Sequence, residues 1–256
     1  MTADDAKPKP HFATAWDRYV DVAKQAGQAW PGDDWGDATL WDAWCRRLLL
    51  DHGAATWRRA VEIGQGTGKY TSRLLAASSC TVLACDVSER FLSLCRDRLA
   101  EHVASGRLRT RLIDERDPDG VAAAVGNEHW TGAVDAVFSI DTLVHLTFTQ
   151  LTAIMLAATS ALKDRGLLAF TFACGTSEPG RKKLLADLDR VLKEGSNPTT
   201  GCFHWVSPEL VRTTAEALGF QVLVCDVDPM HGRDGHFVGR FVDGARAMNA
   251  QALRRR

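Results

Sequence analysis

Three glycines stand at alternate positions within VEIGQGTGKY, residues 61–70 of the sequence. They are Gly64, Gly66 and Gly68, and they follow an apolar segment that is typical of a strand. Glycine has no Cβ atom, so the backbone can turn sharply and approach a ligand closely. The residues after them begin a helical pattern, and the first N–H groups of a helix have no partner within it. The segment therefore predicts a strand, a tight turn and a helix that bind a ligand together.

The spacing of these glycines argues against two common ligand-binding turns. A phosphate-binding P-loop needs GxxxxGK followed by Ser or Thr, whereas Gly68-Lys69 is followed by Tyr70, and Ile63 stands where the first glycine should be. A dinucleotide-binding turn needs a small third residue, and that position is Lys69. From these residues alone, a glycine-rich turn that binds no ligand remains an alternative.

A carboxylate ends the next predicted strand. TVLACDVS places Asp86 there, 22 positions after Gly64. A carboxylate at such a strand tip can accept two hydrogen bonds from the vicinal hydroxyls of a ribose. Asp86 therefore favours a cofactor that contains adenosine. The alternative is an aspartate that only stands at the entry of a helix, beside Ser88.

A second polar group follows the fourth predicted strand, in GAVDAVFSIDTLVHL at residues 132–146. An imidazole with an ordinary pKa near ~6.5 can take a proton from a hydroxyl at neutral pH, and a nearby carboxylate can orient it. Asp141 and His145 are four residues apart, so they share a face if this segment is helical. We expect His145 to be a general base and Asp141 to orient it or bind substrate. The alternative is that His145 packs at a strand–helix junction.

Alternating strand and helix patterns position these residues. Such alternation predicts a largely parallel sheet covered on both faces, which binds ligands at the carboxyl ends of its strands where the strand order reverses. The predicted strands are Arg59–Ile63, Thr81–Asp86, Leu108–Asp114, Ala133–Ile140, Gly166–Phe172, Phe220–Val227 and His236–Val242. The predicted helices are Ala15–Gln28, Asp37–Leu50, Tyr70–Ala77, Ser88–Ala104, Thr149–Leu162 and Arg181–Lys193, with a further helix capped by Ser207.

The patterns E-x-G-x-G-x-G and D-x-V-x-S-x-x-x-L-x-H resemble motifs of class I S-adenosylmethionine (SAM)-dependent methyltransferases. The resemblance covers roughly residues 57–242 and implies a Rossmann-like, doubly wound α/β fold with a mostly parallel seven-stranded sheet. The sequence departs from the family at Lys163-Asp164-Arg165-Gly166, which lacks the usual proline. The resemblance implies SAM as cofactor, S-adenosylhomocysteine (SAH) as product, Glu62 near the cofactor ammonium group and Asp114 beside its adenine. The cofactor-binding residues that it implies are Glu62, Gly64, Gln65, Gly66, Gly68, Asp86, Val87, Asp114 and Ser139.

Net charge and cysteine content limit the partners and the cellular compartment that we expect for the protein. Lys and Arg number 31 against 32 Asp and Glu, a net charge of -1, so we expect no attraction to nucleic acid or to an anionic membrane. The 7 cysteines have neither metal-ligand nor disulfide spacing and no signal peptide precedes them, which favours a cytoplasmic protein with reduced thiols. No apolar run is long enough to span a bilayer. A monomer and a homodimer both stay open.

The methyl acceptor is expected to contact segments outside the cofactor-binding core. We divide the chain into an N-terminal helical cap (1–56), a core (57–173), an insertion (174–206), the rest of the core (207–243) and a tail (244–256). Of the 8 tryptophans, 6 lie at or before Trp57, and 5 of these are in the cap. His204 and Trp205 in the insertion are candidate substrate-binding residues, because aromatic rings stack on sugar faces; the alternative for Trp205 is a core anchor.

A base such as His145 favours an oxygen acceptor. The string SIDTLVH is also similar to segments of bacterial sugar and polysaccharide O-methyltransferases, so we expect methylation of a hydroxyl on a glycan or another small molecule. N-methylation of a small molecule, a SAM-binding module without catalysis and a dehydrogenase-like nucleotide binder stay open. A divalent ion held by Asp141, His145 and the acids at 114–117 is an alternative that no ligand spacing favours.

Overall fold

The protein was analysed as a computed structural model that describes residues 11–117, 119–194 and 203–242. Its strands are β1 (Arg59–Ile63), β2 (Thr81–Asp86), β3 (Leu108–Leu112), β4 (Val134–Ser139), β5 (Leu162–Ala173), β6 (Phe220–Val227) and β7 (Asp234–Phe241). Its α-helices are α1 (His11–Gln25), α2 (Ala38–Leu48), α3 (Lys69–Ala77), α4 (Glu89–Arg98), α5 (Ala100–Ala104), α6 (Gly120–Asn127), α7 (Phe148–Ala161), α8 (Glu178–Glu194) and α9 (Pro208–Ala217).

The strands form a single sheet of 7 strands in the order β3-β2-β1-β4-β5-β7-β6. Strands β1 to β5 are parallel, and β7 runs antiparallel to both of its neighbours. Helices cover both faces, so the predicted doubly wound α/β fold is confirmed. The chain runs outward from β1 to β3 and then returns to β4, so the strand order reverses between β1 and β4. The carboxyl ends of these two strands are therefore where a ligand is expected.

Apolar side chains fill the space on both faces of the sheet. Val61 and Leu83 face the layer that contains α6 and α7, whereas Ala60 and Val82 face the layer that contains α2 and α3. In α2, Leu40, Trp41, Trp44 and Leu48 are all buried against the sheet, as their helical spacing predicts. Burial on both faces explains why the central strands are nearly continuous apolar runs.

Most predicted elements are found within a few residues of their expected bounds. Two differences concern helices. The long helix predicted at 88–104 is divided into α4 and α5 at Leu99. Helix α6 was not predicted, because its sequence GVAAAVGN has glycine near both ends and few polar residues to mark an exposed face. Ser207 caps α9 by accepting a hydrogen bond from the Leu210 N–H (3.1 Å), as expected.

The first helix is tied down onto the carboxyl edge of the sheet. Glu115 accepts hydrogen bonds from the N–H groups of Phe12 (3.0 Å) and Ala13 (2.7 Å) in the first turn of α1. One turn further along, Asp17 accepts from the Ser88 hydroxyl at 2.6 Å. A carboxylate at a helix N-terminus is stabilising because the first N–H groups have no helical partner. These contacts place α1 across the ends of β2 and β3.

The structure bears on two further expectations, the state of the cysteines and the presence of a membrane-spanning helix. The six cysteines within the described residues are free and buried, while Cys202 lies outside them, as do 1–10, the 195–202 part of the predicted insertion and the predicted tail. In the part of the chain that the structure describes, no helix is long and apolar enough to cross a membrane.

Candidate functional site

A cavity of about 500 Å³ opens at the carboxyl edge of the sheet, where the strand order reverses. The segments that follow β1, β2, β3 and β4 form its floor, and α1 together with the loop at 31–35 forms a side wall. Its size lies within the range of small-molecule sites. Eight of the predicted site residues line it, namely Gly64, Gln65, Gly66, Asp86, Val87, Asp114, Asp141 and His145.

The glycine turn has the backbone conformation that its sequence demands. Gly64, Gly66 and Gly68 have φ values of +70°, +55° and +82°, in the region that favours glycine. A Cβ on Gly64 would lie 2.1 Å from Thr142 Cγ2, and one on Gly68 would lie 2.9 Å from Cys95 Sγ. A Cβ on Gly66 would meet no described atom within 4 Å. The absence of a side chain at Gly64 and Gly68 therefore allows close packing, whereas at Gly66 it leaves space beside the turn.

Asp86 joins the glycine turn to the end of β2. Its buried carboxylate accepts hydrogen bonds from the N–H groups of Ser88 (2.9 Å) and Gly66 (3.3 Å). Burial raises the pKa of Asp86 to about 6. Each carboxylate oxygen has two lone pairs, so Asp86 can still accept hydrogen bonds from a ligand in the cavity.

Three predicted cofactor-binding residues, Glu62, Gly68 and Ser139, lie outside the cavity lining. Glu62 is buried beneath the turn, where its carboxyl group accepts a hydrogen bond from the Thr71 hydroxyl (2.5 Å). Burial raises the pKa of Glu62 to about 8. Ser139 donates to the Ile63 carbonyl at 2.7 Å and so ties β4 to β1. In this structure both side chains hold the strands and helix that carry the cavity; their contact with a cofactor stays a prediction.

Asp114 lines the cavity at its open side. Its carboxylate is partly exposed and forms an ion pair with Arg116, at 2.6 Å from the guanidinium. The next residue, Glu115, caps α1. This loop after β3 therefore supplies both a polar rim for the cavity and the anchor of its cap.

The segment that carries Asp141 and His145 is not an α-helix. Asp141 has a φ of +62°, and its N–H donates to the Thr171 hydroxyl at 2.8 Å. A single 3₁₀ turn at Leu143–His145 follows. The two side chains therefore do not meet through helical spacing, which was the condition for a shared face. Both nevertheless line the same cavity.

Aromatic rings flank His145. The ring centroids of Trp16 and Phe203 each lie 5.2 Å from that of His145. Trp16 belongs to the anchored helix α1, and its ring also lies 6.0 Å from that of Trp35. The imidazole is thus held between the cap and the insertion.

His204 and Trp205 do not line the cavity. His204 donates its backbone N–H to the Val144 carbonyl (2.8 Å), and burial lowers the pKa of its imidazole. The ring of Trp205 packs edge-on against Phe203 at 5.7 Å. Phe203 is therefore the insertion residue that reaches His145, and Trp205 supports it.

A buried lysine at the cavity wall was not predicted as a site residue. The ammonium group of Lys69 donates to the Gly32 carbonyl at 3.0 Å, and its centre lies 5.1 Å from the Trp41 ring and 5.3 Å from the Tyr70 ring. Burial lowers the pKa of Lys69, and the carboxylate of Asp141, 4.0 Å away, opposes that shift. The only signal in the sequence was that Lys69 occupies the position that breaks the dinucleotide fingerprint.

No metal centre can be assigned from the described residues. Within 11–117, 119–194 and 203–242, no group of three or more His, Cys, Asp or Glu side chains is placed to hold a metal ion.

Comparison with known proteins identifies the core of the chain. Residues 61–168 match the family described as a methyltransferase domain. No curated protein matches the chain in sequence.

Solved structures with the same fold include several methyltransferases. Magnesium protoporphyrin IX methyltransferase from Synechocystis PCC 6803, with bound SAH, has a TM-score of 0.57 and 16% identity over 79% of this chain and 82% of its own. N-methyltransferase NodS from Bradyrhizobium japonicum WM9, in complex with SAH, has a TM-score of 0.59 and 15% identity over 90% and 98%. An O-methyltransferase family protein from Burkholderia thailandensis has a TM-score of 0.58 and 18% identity over 90% and 60%. The chain thus has the class I SAM-dependent methyltransferase fold, and residues 61–168 within it match a methyltransferase domain.

The raised pKa of Glu62 predicts a pH dependence of stability. Between pH ~4.5 and about 8, the folded chain keeps this proton and the unfolded chain releases it, so the free energy of unfolding falls as pH rises. Glu62→Gln removes this titration and should flatten the fall between pH 5 and 8 in urea unfolding. Glu178→Gln, at an exposed position on α8, is the matched control. An identical pH slope in Glu62→Gln and wild type would contradict the assignment.

Gly64 and Gly66 should give different phenotypes when each is replaced by alanine. Gly64→Ala combines a positive φ with a clash against Thr142, so we expect a loss of more than about 3 kcal/mol in the free energy of unfolding. Gly66→Ala has only the backbone cost, about 1 kcal/mol, but its methyl group enters the cavity space. Guanidinium unfolding measures the first effect, and calorimetric titration with SAH should show weakened binding by Gly66→Ala. Equal losses of stability in both variants would contradict this division of roles.

Proposed function

We propose that the chain is a SAM-dependent methyltransferase that methylates a hydroxyl group of a small molecule, with His145 as the general base. The observation that carries this proposal is that one cavity is lined by the glycine turn, by Asp86 and by His145. The turn and Asp86 suit an adenosine-containing cofactor, and the imidazole suits removal of a proton. A non-catalytic SAM-binding module would need no such base.

The residues present fit the proposed cofactor. The space beside Gly66 lets a ligand approach the backbone, and Asp86 has acceptor capacity left for the two ribose hydroxyls. Ile113 and Val121 offer an apolar wall beside Asp114, where the family resemblance places the adenine. Gln65 contributes a buried side-chain oxygen that has no hydrogen-bond partner among the described residues. A buried polar atom without a partner is costly, so a ligand that donates to Gln65 would be favoured.

The chain's own residues would align the acceptor and move its proton. When bound, SAM would supply an electrophilic methyl group, with the neutral thioether SAH as the leaving group once the bond between the methyl carbon and sulfur breaks. Alignment of two reactants can contribute roughly 7–11 kcal/mol to lowering a barrier. The His145 imidazole takes the proton of the acceptor hydroxyl as the new O–C bond forms, a contribution of roughly 10²–10⁴ in rate. Trp16 and Phe203 flank its ring.

The aromatic residues that line the cavity favour an acceptor with a flat apolar surface. Phe12, Trp16, Trp35 and Phe91 all line the cavity, and such rings stack on aromatic rings as well as on sugar faces. A glycan acceptor is supported by the SIDTLVH pattern, but His204 and Trp205 give it no support because neither lines the cavity. We therefore propose that the cap binds the acceptor through Trp16 and Trp35, which line the cavity, and that the insertion contributes through Phe203, which packs against His145.

N-methylation is the second candidate function. The Asp141 carboxylate faces the cavity and could hold a cationic amine. We propose a cytoplasmic setting from the reduced cysteines, and either a monomer or a homodimer. No nucleic-acid partner is proposed, because the net charge is -1.

The raised pKa of Asp86 predicts how SAH affinity changes with pH. The ionised carboxylate accepts ribose hydroxyls better than the neutral acid, so affinity should fall as pH decreases through about 6. Asp86→Asn should weaken binding about 10- to 100-fold and should remove most of this pH dependence. Calorimetric titration with SAH at pH 7.5 and 5.0 tests both effects. If Asp86→Asn keeps the wild-type pH dependence, another group causes it.

A pair of substitutions separates a base at position 145 from a packing residue. His145→Phe keeps an aromatic ring between Trp16 and Phe203 but cannot accept a proton, whereas His145→Ala removes both features. If His145 is the base, both variants should lose at least about 10²-fold in turnover while SAH affinity stays within a few fold. Radiolabelled methyl transfer from SAM to a panel of phenols, saccharides and amines is the assay. Full activity in His145→Phe would show that the ring only packs.

A further inference from the structure

We propose that Arg233 is a positioning residue for the candidate base, and that it acts by holding the Phe203 ring against the His145 imidazole. This inference rests on the proposed function and deepens it. Arg233 belongs to the loop between β6 and β7 and does not line the cavity. It therefore acts through Phe203 and not on the acceptor itself.

The sheet fixes the guanidinium group of Arg233. Its Nε and Nη2 atoms donate to the two carboxylate oxygens of Asp234, at 2.9 and 2.5 Å, and Asp234 is the fully buried first residue of β7. The Arg233 carbonyl also accepts from the Cys174 N–H (3.0 Å), just beyond the end of β5. A bidentate arginine–carboxylate pair sets the plane of the guanidinium as well as its position. Arg233 therefore offers a fixed surface to a neighbouring side chain.

The Phe203 ring packs on this surface. The central carbon of the Arg233 guanidinium lies 4.7 Å from the centre of the Phe203 ring, within the roughly 6 Å range of a cation–π contact. The Lys183 ammonium group lies 5.4 Å from the same ring, but its side chain is 38% exposed against 23% for that of Arg233. Because the attraction of a cation to a ring grows as water is excluded, Arg233 makes the stronger of the two contacts.

Phe203 in turn contacts the candidate base. Its ring centroid lies 5.2 Å from that of His145, with the two planes inclined by 37°. The backbone is fixed at the next residue, where the His204 N–H donates to the Val144 carbonyl at 2.8 Å. That hydrogen bond places the Phe203 backbone beside His145 but leaves the rotamer of the ring to its packing. Arg233 restrains this rotamer, and so the face of the imidazole that Phe203 covers.

Arg233 also lies near Asp141, which gives it a second route to the cavity. Its Nη2 atom is 3.5 Å from an oxygen of Asp141, and that carboxylate lines the cavity. The two routes differ in what they require. An effect through Phe203 disappears when the ring is removed, whereas an effect of the Arg233 charge on Asp141 does not. A double-mutant cycle between Arg233 and Phe203 therefore separates them.

The variants are Arg233→Gln, Phe203→Leu and the two combined. Arg109→Gln is the matched control, because Arg109 also pairs with a carboxylate, Glu128, and lies 5.6 Å from a tryptophan ring, yet does not line the cavity. Arg233→Gln leaves the buried Asp234 carboxylate without its cation, which is destabilising. Thermal unfolding shows whether this variant is folded. If it is not, Arg233→Lys replaces it, since lysine keeps the charge but lacks the planar fork.

Two measurements are made on the full chain. NMR spectra of the histidine rings report the packing of His145 without any acceptor, because a nearby aromatic ring shifts the imidazole resonances, and His145→Phe assigns the signal. Radiolabelled methyl transfer gives kcat and KM. We expect Arg233→Gln to move the His145 signal toward its position in Phe203→Leu, and to lower kcat about 10- to 100-fold with KM and SAH affinity within a few fold. Arg233→Lys should show the same changes to a smaller extent, and Arg109→Gln should show neither.

The combined variant decides the route. If Arg233 acts through Phe203, the combined variant loses no more kcat than Phe203→Leu alone. The proposal is overturned if the two losses multiply, because Arg233 would then act through Asp141. It is also overturned if the folded Arg233 variant leaves the His145 signal at its wild-type position. Failure of the proposed function has a different signature, namely full turnover in His145→Phe, and the NMR signal would still decide whether Arg233 holds Phe203 against His145.

Discussion

The close contact between Gly64 and Thr142 is the constraint on which the site depends. The Thr142 hydroxyl donates to the Gly64 carbonyl at 2.7 Å, and the approach leaves no space for a side chain at position 64. This contact joins the turn after β1 to the segment after β4, the two strands between which the strand order reverses. Ser139 and Ile63 make a second link just below it. Because both segments are fixed to each other, the cofactor turn and the candidate base border one cavity.

The cap completes the cavity through a different kind of interaction. The sheet edge offers backbone groups, carboxylates and aliphatic side chains, whereas the aromatic surface of the cavity comes from the segments around it. Helix α1 brings that surface in Trp16, and its position depends on two carboxylates, Glu115 and Asp17. Both bind N–H or hydroxyl donors at helix starts, where unpaired donors are concentrated. Helix α1 is therefore positioned by polar contacts to the core, whereas its Trp16 is left to face the cavity.

Local patterns in the sequence were enough to predict the sheet and the turn. Strand β1 and the glycines at 64, 66 and 68 follow from apolar runs and from the need for a positive φ. Placement of single side chains depends on tertiary contacts and was less predictable. Asp141 would share a face with His145 only if the segment were helical, but the Thr171 hydroxyl holds the Asp141 N–H and the backbone is left-handed there. That hydroxyl is 30 residues away in sequence, so no local pattern could show it.

Buried charge explains why Lys69 escaped prediction and why it matters. A lysine at the start of a helix is normally exposed. Lys69 is removed from water only in the folded chain, by Gly32 and Trp41 of the cap and by the neighbouring Tyr70 ring. A lysine is retained in such a place at a cost in desolvation. Hydrophobic replacement of buried ionic groups is often neutral or stabilising, so stability of the fold gives no reason to keep a cation there. Lys69 borders the cavity, so its charge acts on a ligand bound there as well as on the residues against which it packs.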